Sequence, residues 1–213
     1  MTDADMPDLR ERRRRETRHE ISLAALDLFE QRGVAATTVD EIAKAAGVSA
    51  STFFRQFKTK EESILQGDLD IETDIEQWLT TSPSSISLSG IESIYERAAA
   101  RLMEASSETT SRVLRTRRLI MGDTHLRSAA MALDATTLCR LADAVVERMD
   151  DRRSVLHARL LVEGAGMTLR IAFDEWATRV DAGEDADLVD IYRNARNELR
   201  RVVHPTPQAR SGQ

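Results

Sequence analysis

The chain predicts an all-α protein, with a small N-terminal three-helix unit ahead of a larger C-terminal helical body. Three observations carry this. Helix-forming residues dominate nearly every long segment, proline is confined to positions 7, 83, 205 and 207, and no stretch alternates cleanly at period 2. With 213 residues the chain can bury a core without metal or disulfide staples. Its one cysteine, Cys139, excludes an intrachain disulfide and suits a reducing compartment. No apolar run approaches the ~20 residues that span a bilayer, and the N-terminus has no apolar leader core. A soluble cytoplasmic protein with no membrane contact is expected.

In chain order, residues 1–9 are expected to be a disordered arm. A first helix follows over 10–32, with Ile21, Ala25, Leu28 and Phe29 on one face and Gly33 in the position after its end. Residues 37–60 (TTVDEIAKAAGVSASTFFRQFKTK) hold two short helical patterns split by a glycine turn. Thr38 caps the first, with Glu41 at its third position. Ala43 is small enough to let a second helix cross closely. Gly47 supplies a positive φ and Val48 plugs the turn. Ser49 caps the second helix. Phe53 and Phe57, four apart, share its buried face and leave Ala50, Ser51, Thr52, Arg55 and Gln56 outward or at its start. Thr59 is expected to cap a fourth helix, with Glu62 completing a capping box, that continues to about Leu79. Residues 80–89 (TTSPSSISLS) read as a loop. Further helices are expected over 90–105, 108–121, 126–149, 153–180 and 186–203, with a turn over 181–185. Residues 204–213 read as a flexible tail.

A helix presented this way suits a DNA major groove, where the N-terminal residues of a recognition helix meet base edges. An αα-hairpin inside a bundle shares the alanine–glycine spacing but does not need both caps, the paired phenylalanines and a neighbouring arginine cluster. The net charge of −6 is unevenly spread. Residues 10–18 carry six arginines against Glu11 and Glu16, and the three lysines, Lys44, Lys58 and Lys60, all fall in the first 60 residues. A basic face on an acidic body still binds phosphate, because screening confines the field to ~8–10 Å.

The segment TTVDEIAKAAGVSASTFFRQFKTKEESI resembles the DNA-binding region of the TetR family of bacterial transcriptional regulators, over about residues 18–65. The resemblance implies a DNA-binding domain over 10–65 (motif 37–57) and a regulatory and dimerisation domain over 66–203. Together with the side-chain chemistry it implies that Thr38 and Lys60 meet phosphates and that Ser51, Thr52 and Arg55 meet base edges. Ser49 is a cap first and a contact second. The family commonly has Tyr at the position of Phe54 and often His at that of Gln56. Here Phe54 is left to pack on a sugar or thymine methyl, and Gln56 to donate to a phosphate. Residues 12–15 either reach an adjacent minor groove or phosphates, or form a frayed solvated arm.

One recognition helix reads few base pairs, so a homodimer on double-stranded DNA with a near-palindromic operator is expected. The proposed interface is Leu160, Gly164, Met167, Ile171 and Trp176 with Ile191, Tyr192, Ala195 and Leu199; the alternative is that both helices are core of a monomer. The effector is expected to be a small apolar molecule. Trp78, Met103, Arg118, Met121, Cys139 and Met167 are the candidate pocket, and ordinary core is their alternative. Arg115, Arg117, Arg118 and Arg127 sit beside apolar residues, and the C-terminal half resembles actinobacterial members of the family whose effectors include acyl-CoA thioesters. An acyl-CoA-like effector would place these arginines at a pocket mouth, whereas a solvated helix face would leave them in water. His125 is read as a helix cap or surface residue. No metal cluster, nucleophile motif or phosphate loop is visible, so no cofactor, metal or catalytic residue is expected. A ligand-responsive repressor is the leading function. An activator, a ligand-independent repressor and a helical enzyme are the alternatives.

Overall fold

The computed structural model describes residues 6–65, 71–81, 86–148 and 154–203. Among these, all regular structure is α-helix: α1 (Met6–Arg32), α2 (Val39–Ala45), α3 (Ala50–Gln56), α4 (Glu62–Leu65), α5 (Ile71–Thr81), α6 (Leu88–Glu104), α7 (Ser107–Gly122), α8 (Thr124–Glu147), α9 (Ser154–Asp181) and α10 (Leu188–Val203). None of the described helices is long and apolar enough to cross a membrane.

Several boundaries differ from expectation. α1 starts at Met6, so residues 6–9 are helical; the remainder of the expected arm and the 204–213 tail lie outside the described residues. Of the expected 59–79 helix, Glu62–Leu65 and Ile71–Thr81 are helical, and the residues between are not described. The serine–threonine loop is shorter than its composition suggests, because α5 runs through Thr81 and Ser87 caps α6 at the amide of Gly90. Polarity marked the loop, but Ser87 and Ser89 serve a helix start.

The chain divides into two compact units that are not contiguous in sequence. Residues 111–133 join the N-terminal unit, and 69–110 with 134–213 form the other, in place of a single boundary near residue 65. The reason lies in the first unit's core. Ile21, Ala25, Leu26 and Phe29 of α1, Val34, Ile42, Ala43, Phe53, Phe57 and Ile64 are buried together with Leu126 of α8, and Leu119 and Ile120 pack against them. Leu26, rather than Leu28, completes the buried face of α1. Arg115 of α7 donates to Glu30 at 2.9 Å and to Asp27 at 2.5 Å, tying α7 to α1. Arg127 donates to the carbonyls of Ile120 and Met121, closing the end of α7. Asp123, not His125, caps α8, accepting from the Leu126 amide at 2.8 Å. His125 lies within α8 and meets Glu61 at 3.3 Å.

The second unit is built on α6, which buries Ile91, Ile94, Tyr95, Ala98, Ala99 and Leu102 at helical spacing. α9 and α10 pack on this face and on each other, and α5 adds Ile75 and Leu79. The Trp176 indole donates to the carbonyl of Ala186 at 3.2 Å, and Gly183 (φ +79°) closes the turn between α9 and α10. Glu92 is buried on α6 and accepts from Arg200, with Arg196 at 3.9 Å. Glu96 beside it accepts from Arg193 at 2.8 Å and Arg196 at 3.0 Å.

Removing the cations from a buried carboxylate costs far more than replacing the whole cluster with apolar groups. The Arg196→Ala/Arg200→Ala variant is therefore expected to lose about 3 kcal/mol in urea unfolding. Adding Glu92→Met should recover most of that loss.

Candidate nucleic-acid interface

α3 has seven residues, too few to be stable alone, so its ends and one face must be held by the rest of the unit. At its start the Ser49 hydroxyl accepts from the Thr52 amide at 3.1 Å. Along its inner face Phe53 is fully buried and Phe57, the residue ending the helix, is 3% exposed. Their rings stand 5.8 Å apart. At its end the Arg18 guanidinium donates to the Gln56 carbonyl at 2.7 Å and lies over the Phe57 ring at 4.3 Å. Burial, and then the charge of Arg14, lower the pKa of this guanidinium below its ordinary value. Gly47, at φ +67°, turns the chain between α2 and α3, and Val48 packs half-buried on the core.

The outer face is polar and connected. The Ser49 hydroxyl lies 2.9 Å from that of Ser51 and 3.0 Å from that of Thr52, and Arg55 donates to the Thr52 hydroxyl at 3.1 Å. Ser51, Phe54 and Arg55 are exposed, with 56% of Phe54 open to solvent and its ring edge-on to Phe53. Gln56 is half-buried, and its side-chain oxygen has no hydrogen-bond partner.

Thr38 caps α2 reciprocally: its hydroxyl accepts from the Glu41 amide, while Glu41 accepts from the Thr38 amide at 2.9 Å and from the hydroxyl at 2.9 Å. The Thr38 hydroxyl proton is thus committed to Glu41 in the DNA-free protein. Bonds from the Thr38 amide and then its hydroxyl hold the Glu41 carboxyl below its usual pKa, with Arg32 assisting at 2.9 Å. The reciprocal cap is fully present above the ordinary carboxylate range and loosens as pH falls through the lowered value.

Lys60 departs from the role expected of it. Its ammonium donates to the Val34 carbonyl at 2.6 Å and the Thr37 carbonyl at 2.7 Å, so two of its three donors hold the turn that precedes α2. The Thr37 hydroxyl adds a bond to Gly33 O at 2.9 Å in the same turn. Thr59 does cap α4 at the Glu62 amide, but Glu62 answers to Lys58 N rather than to Thr59.

Sequence reasoning missed Arg18. A signal for it exists: it extends the Ile21–Ala25 buried stripe one turn outward, where a long cation can cover the edge of a core.

The residues expected at a pocket and at an interface fare differently. Arg118 and Met121 belong to the first unit and the other four pocket residues to the second. Met121, Cys139 and Met167 are exposed. Trp78 is half-buried, its indole over Gly90 where a Cβ would stand. Arg115 and Arg127 are held in the ties described above. Trp176, Ile191 and Tyr192 are interior residues of the second unit, not surface. Leu160 (64% exposed), Met167 and Ile171 (48%) are open, while Gly164, Ala195 and Leu199 are intermediate.

Residues 21–64, the span of this site, match the family model for bacterial regulatory proteins of the tetR family. The transcriptional regulator TcmR of Streptomyces glaucescens is 48% identical over 59 residues, 28% of this chain and 26% of TcmR. The transcriptional regulator AcrR of Shigella flexneri is 49% identical over 47 residues, 22% of each chain. The matches thus span about a quarter of these relatives' own length. Two solved structures extend the likeness along the chain. FadR of Thermus thermophilus, a TetR-family transcriptional repressor in complex with lauroyl-CoA, is 20% identical with a TM-score of 0.50, over 92% of this chain and 99% of FadR. The fatty acid degradation regulator FadR of Bacillus halodurans is 17% identical with a TM-score of 0.50, over 86% and 94%. At these identities the likeness is one of fold. The likeness to the tetR family of bacterial regulatory proteins is thus one of sequence over residues 21–64 and of fold along the rest of the chain.

Proposed function

We propose that the protein is a homodimeric, ligand-responsive repressor that binds a near-palindromic DNA operator. The observation that carries this is α3: Phe53 and Phe57 anchor it, and Ser51, Phe54 and Arg55 are turned to solvent. Ser51, Thr52 and Arg55 meet base edges. Arg55 is best suited to guanine O6 and N7. Phe54, lacking a phenol hydroxyl, packs on a sugar or a thymine methyl. Gln56 and Thr38 donate to phosphates, Thr38 after exchanging its bond to Glu41. Lys60 acts mainly through the turn it braces and so places Thr38.

The dimer surface is a stripe on α9. Leu156, Leu160, Gly164, Met167 and Ile171 recur at spacings of three and four, and the large ones are exposed. Ala195 and Leu199 of α10, both partly exposed, are proposed to join it. A helix that packs inward through Val162, Ala165, Leu169 and Phe173 while leaving a second apolar stripe open needs another cover. Two copies would read two half-sites ~34–36 Å apart, or further in multiples of a turn. The effector is a small apolar molecule that binds the DNA-free arrangement more tightly. An acyl-CoA thioester is the first to test, because Thermus thermophilus FadR holds lauroyl-CoA.

Four experiments test this reading. In mobility-shift titrations Arg55→Ala should relax preference at one base pair by ~1–3 kcal/mol. Lys60→Ala should weaken binding to all duplexes and lower stability by about 2 kcal/mol with little change in salt slope. An unchanged melting temperature with a slope flattened by ~1 would instead give Lys60 a phosphate. Leu160→Asp/Ile171→Asp should be monomeric by light scattering while staying helical, and should lose operator affinity. Lauroyl-CoA, but not lauric acid, should release the wild-type protein from a duplex it has selected; no effect of any thioester would remove that effector class.

A further inference from the structure

Charged side chains are rarely buried, and Glu61, in the turn between α3 and α4, is one that is: only 8% of it is exposed. A buried carboxylate needs a donor. Here the donor comes from another helix of the first unit. His125 of α8 lies with Nε2 at 3.3 Å from Glu61 Oε1, and its side chain is 72% exposed. The other charged groups on the elements around this turn are engaged elsewhere. Within the turn, Lys60 holds the Val34 and Thr37 carbonyls, Glu62 accepts from the Lys58 amide, and Lys58 itself is exposed. On α1, Arg18 donates to Gln56 O. On α8, Asp123 caps the helix and Arg127 donates to the carbonyls of Ile120 and Met121.

Lys60 and Glu61 are consecutive residues with opposite reach. The first runs back to the turn before Thr38, and the second meets α8. Their backbones are fixed together at the start of α4, where Ser63 Oγ donates to Lys60 O at 2.5 Å and the Ile64 and Leu65 amides donate to Glu61 O at 3.2 Å. Holding Glu61 therefore steadies the Lys60 brace.

We propose that Glu61 and His125 form a proton-sensitive latch, which ties the start of α8 to the α3–α4 turn and so makes operator affinity depend on pH. The proposal rests on the DNA-binding reading above. An imidazole gains its second proton between about pH 5 and 8. The neutral ring gives Glu61 an ordinary N–H bond, and the protonated ring a charge-assisted one, roughly twice as strong. The added hold is fully present where the ring is protonated and is lost as pH rises through the histidine range. His125 takes up its proton from open solvent, while Glu61, being buried, meets the new charge with little screening.

The test titrates wild type and three variants, at about pH 6 and about pH 8 and one ionic strength, against a duplex selected by the wild-type protein from a random pool. The other three histidines are present in every variant, so each is judged by its affinity ratio between the two pH values. That ratio should favour the lower pH about 3-fold more in wild type than in His125→Gln, which keeps a neutral donor near Nε2. Glu61→Gln should lose the same factor. His125→Lys, a cation at both pH values, should bind at the higher pH as wild type binds at the lower. Without DNA, the melting temperature of wild type should exceed that of His125→Gln by more at the lower pH. A wild-type ratio retained in His125→Gln or in Glu61→Gln overturns the proposal, as does an equal melting difference at both pH values. Should Glu61→Gln fail to fold, His125→Lys decides: a ratio equal to that of wild type overturns the latch. A wild-type protein that binds no duplex at low salt overturns the DNA-binding reading instead, and the melting comparison then judges the latch by itself.

Discussion

A seven-residue helix has no stability of its own, and the candidate function is concentrated on one. The first unit is organised around that constraint. Ser49 satisfies an orphan amide at the start of α3, Phe53 and Phe57 sink its inner face into the core, and Arg18 takes a carbonyl at its end. Each device handles a different deficit of a short helix: unpaired donors, missing packing and unpaired acceptors. With all three in place, the outer face is free to be polar, and it carries hydroxyls and a guanidinium where a monomeric bundle would have no need of them.

Local chemistry was legible in the sequence, and distant chemistry was not. The Thr38–Glu41 box, the Gly47 turn, the Ser49 cap and the Phe53–Phe57 pair each lie within a turn or two of helix, so residue spacing alone places them. Lys60 reaches back 26 residues to Val34, and Arg18 forward 38 to Gln56. No spacing rule announces such bonds. Phosphate chemistry therefore suggested itself for a lysine whose ammonium is turned to its own backbone. The membership of residues 111–133 in the first unit was hidden for the same reason. Leu119, Ile120 and Leu126 look like any helical apolar residues until Phe29 and Ile42 are found beside them.

The second unit shows a subtler limit. Apolarity on several sides of α9 was visible in the sequence, but not which side its own unit would claim. Trp176, with Ile191 and Tyr192 on α10, went to the interior, where the indole and phenol find the carbonyls of Ala186 and Glu92. Leu160 and Ile171 were left over. Large residues with a polar tip are drawn to places where that tip has a partner, and the fold provided two. Glu92 illustrates the opposite case, an acid inside the packing because three arginines of α10 gather around it and Glu96.

The hydroxyls of Ser49, Ser51 and Thr52 and the guanidinium of Arg55 are linked to one another in the absence of DNA. Part of their donor capacity is thereby engaged within the protein: two hydroxyl protons of the three, and one N–H of the five on Arg55. Docking of α3 as proposed would exchange these bonds for bonds to DNA, and only a base sequence offering acceptors in matching positions would restore what is broken. In that proposal wrong sequences would be rejected by an unreturned loss inside the protein as well as by a poorer fit outside it.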